Sequence, residues 1–252
     1  MKFDIVTIFP ELIHAITGAG VLGRAITTGI LDVAVHDLRD YAADRRRTVD
    51  DVPYGGGPGM VLKPEPFVRV VGQIRRERGL PEAIVLTSPQ GAVFTHAEAV
   101  RLSRLRHVVL LCGRYEGVDE RVREHVATEE MSVGDYVLSG GELPAGVILD
   151  AVARQVPGVV GDAASVRSDS FVRRLLDCPH YTRPATFEAR RVPDVLMSGN
   201  HSEIRRWRKR EAVRRTRERR PDLLANASLD DEERELLREL EQADEPKTGA
   251  GV

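Results

Sequence analysis

Cysteine is nearly absent from this chain: Cys112 and Cys178 are the only two in 252 residues. They lie far apart, without the paired spacing of a zinc site or a redox motif, so reduced thiols are expected and a disulfide frame is not. Long apolar runs are missing as well. No stretch approaches the roughly 20 residues that a bilayer-crossing helix needs, which excludes a helical membrane protein. The apolar start from Phe3 to Phe9 contains Asp4, lacks a basic lead-in and runs into Pro10 and Glu11. A secretion leader is therefore not expected, and the cytoplasm is the expected compartment. Lysine is scarce, four of 37 basic residues; that bias carries no functional reading.

What remains is the makeup of an ordinary globular protein, 42% hydrophobic and 30% charged, long enough for one large domain or a larger and a smaller one. The first 160 residues alternate short β-branched runs with helical stretches, the pattern of an α/β domain with a mostly parallel sheet. Strands are predicted at Phe3 to Phe9, Leu31 to His36, Ala83 to Leu86 and Val108 to Cys112. Helices are predicted at Pro10 to Thr17, Pro66 to Arg78, Thr95 to Ser103, Val118 to His125 and Leu143 to Gln155, several opening on proline or on a capping threonine. The last of these has apolar residues at nearly every turn, which predicts burial or a subunit interface. Residues 161–172 are small and aperiodic and read as an interdomain linker. Residues 173–242 read as a small, mainly helical domain, and 243–252 as a disordered tail.

The net charge of −2 conceals a segregation. Between His201 and Arg220 stand ten basic residues against three acids, and between Asp230 and Glu245 nine acids against Arg234 and Arg238. Two readings stay open: a salt-bridged pair of helices, or a phosphate-binding surface of the kind nucleic-acid binding requires. Ile204, Trp207 and Arg208 share helical spacing, which predicts Trp207 as a core anchor rather than a base-stacking residue. His180 and His201 have no carboxylate or histidine at ligand spacing and are expected to be structural, so no protein-built metal site is expected.

Gly18 to Gly23 fits G-x-G-x-x-G, but a helix, not a strand, is predicted ahead of it. A nicotinamide-binding reading is therefore disfavoured, and the glycines are expected to end one helix and begin the next. Asp51 to Met60 (Asp-Val-Pro-Tyr-Gly-Gly-Gly-Pro-Gly-Met) lacks a following Gly-Lys-Ser/Thr, so it is no triphosphate loop; it reads as a shaped loop that lets main chain approach a ligand. Three further segments share one logic: Leu86 to Gly91, Leu111 to Gly117 and Ser132 to Pro144. The first two leave the carboxyl ends of predicted strands, where open α/β sheets bind ligands. Three such loops within about 60 residues predict one pocket built largely from backbone groups.

These loops resemble those of the bacterial tRNA (guanine-N1) methyltransferases of the SPOUT class, and the likeness spans nearly the whole chain. It is carried by Asp4-Ile-Val-Thr-Ile-Phe-Pro10, Pro53-Tyr-Gly-Gly-Gly-Pro-Gly-Met60, Ser88-Pro-Gln-Gly91, Cys112-Gly-Arg-Tyr-Glu-Gly-Val-Asp119, Val133-Gly-Asp-Tyr-Val-Leu-Ser-Gly-Gly-Glu142, Asp169-Ser-Phe171, His180-Tyr-Thr-Arg-Pro184 and Gly199-Asn-His201. The resemblance implies a deep trefoil knot between about Leu86 and Pro144, against the general rule of unknotted chains. It implies a homodimer whose active site joins the knot of one subunit to the C-terminal domain of the other. S-adenosylmethionine would be held by Leu86, Ser88, Pro89 and Gln90 of the first loop, and by Gly113, Tyr115, Glu116 and Gly117 of the second. In the third loop Val133, Gly134, Asp135, Tyr136, Val137, Leu138, Gly140, Gly141 and Pro144 would hold it. Leu86 stands where the family often has an aromatic residue.

The same likeness assigns Asp169 as general base toward guanine N1 and Arg154 as the cation beside guanine O6, with the anticodon stem-loop of tRNA, position 37, as target. Taken alone, Asp169 would read as a helix cap between Ser168 and Ser170, and Arg154 as a helix-surface residue. The family is associated with magnesium, for which the sequence shows no all-protein cage. Competing readings are a ribose methylase of the same class and an RNA-binding module without catalysis.

Overall fold

The computed structural model describes residues 1–162, 166 and 168–244, in two compact units, Met1–Ala163 and Ala164–Val252. Part of the expected linker and most of the expected tail lie outside the described residues.

The first unit is built on β1 (Lys2–Thr7), β2 (Asp32–Asp37), β5 (Ala83–Val93), β6 (His107–Cys112) and β7 (Glu129–Ser132). They form one sheet in the order β2-β1-β6-β5-β7, parallel at every pairing. A short antiparallel pair, β3 (Asp50–Asp51) and β4 (Val61–Leu62), stands apart. A mixed α/β unit around a parallel sheet is the expected fold class.

Side chains alternate across the sheet and both faces are buried. Phe3, Ile5, Val85, Val108 and Leu110 pack into one cluster with residues of α1 (Pro10–Thr17), α2 (Gly20–Thr27), α4 (His96–Ser103) and α6 (Glu142–Ala153). Val6, Ile84, Val109 and Leu111 pack into another with Phe67, Val70 and Ile74 of α3 (Pro64–Glu77) and Val122 of α5 (Glu120–His125). Covering on both sides is why these strands read as continuous apolar runs. Each fully buried Leu, Ile or Phe contributes roughly 1.5–3 kcal/mol of transfer free energy.

Local signals set the helix ends. Pro10 supplies the fixed φ of the first turn of α1, while the Phe9 amide donates to Thr7 Oγ1 at 2.9 Å. Gly18 follows α1, and Gly20 opens α2, so Gly18 to Gly23 separates two helices, as expected. The helix predicted from Val118 starts at Glu120, because the Asp119 carboxylate accepts the Arg121 amide at 3.0 Å and caps it there. β1 stops two residues short of its predicted end, at the turn into α1. β7 was not predicted at all.

At the N-terminal end of the sheet, Asp4 is fully buried. It meets His36 Nε2 and His107 Nε2, each at 2.6 Å, and Arg78 Nε at 2.8 Å. Burial pushes its carboxyl up, but the hydrogen bonds from His36, His107 and Arg78 outweigh that and hold it below the usual carboxylate value.

The second unit is less helical at its start than expected. Residues 173–193 contain turns and a hairpin, β8 (Thr186–Phe187) with β9 (Arg190–Arg191). Helices follow at α7 (Asp194–Met197), α8 (His201–Arg219), α9 (Pro221–Leu224) and α10 (Asp231–Asp244). Asn200 caps α8, its Oδ1 accepting from the amides of Ser202 at 3.2 Å and Glu203 at 3.4 Å. The basic α8 and acidic α10 do pair: Arg206 reaches Glu239 at 2.6 Å, and Lys209 reaches Asp230 at 2.7 Å and Glu232 at 2.6 Å. Arg214 is held within its own helix by Glu211 and Glu218. Only Val213 and Thr216 of α8 are buried. Trp207 is half-buried, so its expected role as a core anchor is corrected: the buried residues of α8, Val213 and Thr216, lie about two turns further on.

Candidate functional site

The second and third glycine-bearing loops leave the carboxyl ends of β6 and β7, and the first interrupts β5, the strand between them. They line one cavity of about 310 Å³. From the first loop it takes Leu86, Ser88, Pro89 and Gln90; from the second, Gly113, Tyr115, Glu116 and Gly117. From the third it takes Val133, Gly134, Tyr136, Val137, Leu138, Gly140, Gly141 and the following Pro144. Asp135 alone of the seventeen cofactor residues named from the sequence is not in the wall.

Backbone geometry brings the loops together. β5 pairs regularly with β7 as far as Thr87, and pairing resumes only at Ala92 opposite Met131, so Ser88 to Gly91 bulge out as a loop. At Gly91 an added Cβ would lie 2.4 Å from the backbone of Glu130 and Met131; only glycine permits so close an approach. Gly141 is as constrained, and its amide donates to the Gly113 carbonyl at 2.8 Å, fastening the third loop to the second. The Gln90 amide donates to Ser88 Oγ at 3.1 Å, and the Glu116 amide to the Met60 carbonyl at 3.0 Å. The second contact sets the Asp51 to Met60 segment against the second loop.

The sequence missed a buried charge next to the cavity. Glu142, the first residue of α6, is 1% exposed. Thr7 Oγ1 donates to it at 2.8 Å, and Arg114 Nε lies 3.3 Å from its other oxygen. The Arg114 guanidinium stands over the Phe9 ring, 4.5 Å from its centroid. The amide-rich start of α6 favours the carboxylate, and an ion pair this deep ties β1, the second loop and α6 to one geometry. Both residues sit inside motifs already singled out, but nothing in their spacing shows the pairing. Thr87, Ser132 and Ser139, inside the expected loops but not among the named contacts, also line the cavity.

Its polar character is mixed. Glu116, Glu120 and Glu130 line the wall with Arg114 and Arg123; Arg123 pairs with Glu120, whereas Glu116 and Glu130 have no salt-bridge partner among the described residues. Main-chain donors and acceptors, an apolar flank of Leu86, Pro89 and Leu138, and these carboxylates suit a small polar molecule with positive charge.

The two catalytic residues named from the sequence lie in different units. Arg154 is the half-buried C-cap of α6. Asp169 lines a cavity of the second unit with Arg173, Asp177, Cys178, His180, Arg208 and Lys209. His180 departs from expectation, because a carboxylate does stand at ligand spacing. His180 Nε2 is 2.8 Å from Asp177 Oδ2, and these two with Cys178 bring one ligand atom each within 4.8 Å. Burial pushes the Cys178 thiol up to about 11, which disfavours the thiolate a soft metal would need. Magnesium prefers all-oxygen surroundings that this trio does not offer.

A parallel sheet covered on both faces, with a cavity of small-ligand size walled by loops of β5, β6 and β7, defines an α/β protein followed by a second, smaller unit. Comparison with known proteins narrows the class. The family model described as tRNA (guanine-1)-methyltransferase TrmD matches residues 1–226. A tRNA (guanine-N(1)-)-methyltransferase of Aromatoleum aromaticum is 50% identical over 98% of this chain and 96% of its own. One of Pelotomaculum thermopropionicum is 51% identical over 95% and 96%, and one of Marinomonas sp. 49% identical over 99% and 100%. The chain belongs to the tRNA (guanine-1)-methyltransferase family. No helix among the described residues is long and apolar enough to cross a membrane.

Proposed function

We propose that the chain transfers a methyl group from S-adenosylmethionine to N1 of the guanine at position 37 of tRNA, beside the anticodon. The observation that carries this reading is the single cavity into which the three family-like loops converge. Glycines that a Cβ would jam against neighbouring backbone, together with carboxylates free of salt bridges, fit a nucleoside bearing a cationic sulfur. Bound there, S-adenosylmethionine supplies an electrophilic methyl carbon and departs as the neutral thioether.

The protein's part is to turn N1 into an acceptor. That nitrogen carries a proton at neutral pH, and its lone pair becomes available only as the proton leaves. Asp169 takes the proton, and Arg154 stabilises the charge that gathers on O6 as it goes. Carboxylates are weak bases for a proton held as firmly as that on guanine N1, and each unit of mismatch costs about 1.4 kcal/mol. A guanidinium held on O6 offsets much of that cost by lowering the acidity gap at N1 itself. General-base help is worth on the order of 10² to 10⁴ in rate, and positioning supplies much of the rest.

In this reading two copies associate, Asp169 of one serving the cavity of the other. Leu143 and Val147, one turn apart on α6, are 53% and 51% exposed, and apolar groups so placed favour such a partner. The segments from Leu86 to Pro144 form the knot, the second unit binds the anticodon stem-loop, and magnesium dependence follows from the family likeness alone. The deciding experiment is nucleoside mass spectrometry on unmodified tRNA transcripts treated with the protein and donor, with guanine or inosine at position 37. Appearance of 1-methylguanosine only with guanine is expected; its absence would refute the reading.

A further inference from the structure

The second unit carries a further cavity, about 430 Å³ in volume, that shares only His180 and Arg208 with the cavity lined by Asp169 and lies within the range of roughly 300–1,000 Å³ typical of small-ligand sites. Tyr181 lies in its wall, half exposed. Trp207 of α8 packs on Tyr181, ring centroids 6.3 Å apart and planes inclined at 54°. Val192, Leu196, Met197 and Ile204 give the cavity an apolar floor.

Its charge is of one sign. Arg183 and Arg208 line it, His180 stands beside them, and none of the described lining residues is acidic. Elsewhere on α8, Arg206 is spent on Glu239, Lys209 on Asp230 and Glu232, and Arg214 on Glu211 and Glu218. Arg183 and Arg208 have no carboxylate partner among the described residues, and both are exposed. An aromatic face, an apolar floor and two uncommitted guanidiniums match the two halves of an unpaired nucleotide. The base has a π-face that any aromatic ring accepts, and the phosphate calls for arginine. A paired helix offers no free base face, and a peptide partner gives no reason for an all-cationic rim.

We infer that Tyr181, braced by Trp207, stacks one unpaired base of the RNA substrate while Arg183 and Arg208 hold its phosphate. This subsite rests on the proposed tRNA substrate and deepens it: the second unit grips a looped-out nucleotide, not only the outer backbone of a stem. Tyr181 and Trp207 are positioning residues. They enter the reaction by fixing the RNA, so their loss raises KM for tRNA and spares the cofactor cavity in the other unit.

Trp207 is the only tryptophan of the chain, which makes its emission a local reporter. In the full chain, titration with an unmodified tRNA transcript is expected to change Trp207 emission saturably, at the concentrations that saturate methyl transfer. Tyr181→Ala is expected to raise KM for tRNA between about 5- and 150-fold, the range of one lost base stack, with kcat within about 2-fold and affinity for S-adenosylmethionine unchanged. Tyr181→Phe restores KM. Arg183→Gln, an exposed change that leaves packing alone, lowers the salt dependence of tRNA binding by about one phosphate contact. Unaltered Trp207 emission at saturating tRNA, with wild-type KM in both Tyr181→Ala and Arg183→Gln while 1-methylguanosine accumulates, overturns the subsite and leaves the functional reading standing. Failure of the unaltered chain to methylate tRNA overturns that reading instead.

Discussion

Gly141 lies so close to Thr87 that a Cβ on the glycine would fall 2.1 Å from the threonine Oγ1, and 2.8 Å from both Cys112 Cα and the Gly113 amide nitrogen. Two of these three obstacles are main chain. Gly141→Ala must therefore push the third loop off the second. Overpacking of this kind costs about 1–3 kcal/mol, and the cavity should lose its shape before the sheet unfolds. Calorimetric titration with S-adenosylmethionine is expected to show at least a ten-fold loss of affinity in a protein that still melts cooperatively. Undiminished binding would mean that the cavity is not the donor site.

Asp169 acts, in the proposed mechanism, on a proton and not on the donor. Asp169→Ala should leave donor affinity nearly intact and reduce turnover on the order of 10² to 10⁴. Single-turnover methylation with saturating tRNA measures it. Loss of donor binding in this variant would remove Asp169 from the role of base.

Asp4 predicts a pH dependence of stability. Its carboxyl is held below the ordinary value of 3.8, so its contribution is complete above that value and is lost as pH falls through the folded-state value. Asp4→Asn leaves His36, His107 and Arg78 facing a neutral amide, a change expected to cost about 3 kcal/mol or more at neutral pH. The gap between the urea midpoints of the two proteins should hold from pH 7 down to the ordinary carboxylate value and narrow only below it. A gap that does not narrow there would show that Asp4 acts by shape and not by charge.

Both thiols should be inert in the native protein. Cys112 is 1% exposed and its thiol is pushed well up by burial, with Glu142 nearby adding to the shift; Cys178 is 6% exposed and pushed up to about 11. Ellman's reagent at pH 8 is expected to find almost no reactive thiol in folded protein and two per chain in denaturant. Rapid reaction of one thiol in the native state would mean that its unit opens locally.

The strands legible in the sequence were β1, β6 and the first half of β5, where apolar runs are buried on both faces, and the half-buried edge strand β2. Strand β7 was not, because Glu-Glu-Met-Ser has no strand signature of its own. Its place comes from pairing along β5, a tertiary fact. The same holds for Ala92 and Val93, which rejoin β5 beyond a Pro-Gln-Gly turn. The cavity was legible because its glycines mark close backbone approaches that leave a compositional trace. The Glu142 and Arg114 pair left none, since either residue alone looks like solvent-facing charge. On α8 the count of arginines was visible, but which of them α10 neutralises depends on how two helices meet.

The cavity is floored by main-chain atoms gathered from three loops, with glycine where side chains would intrude. Point mutation exchanges side chains and leaves peptide groups where they are. An inhibitor gripping those peptide groups would face a target with few routes to resistance, because the substitutions able to dislodge it, at Gly91 or Gly141, would collapse the enzyme's own pocket as well.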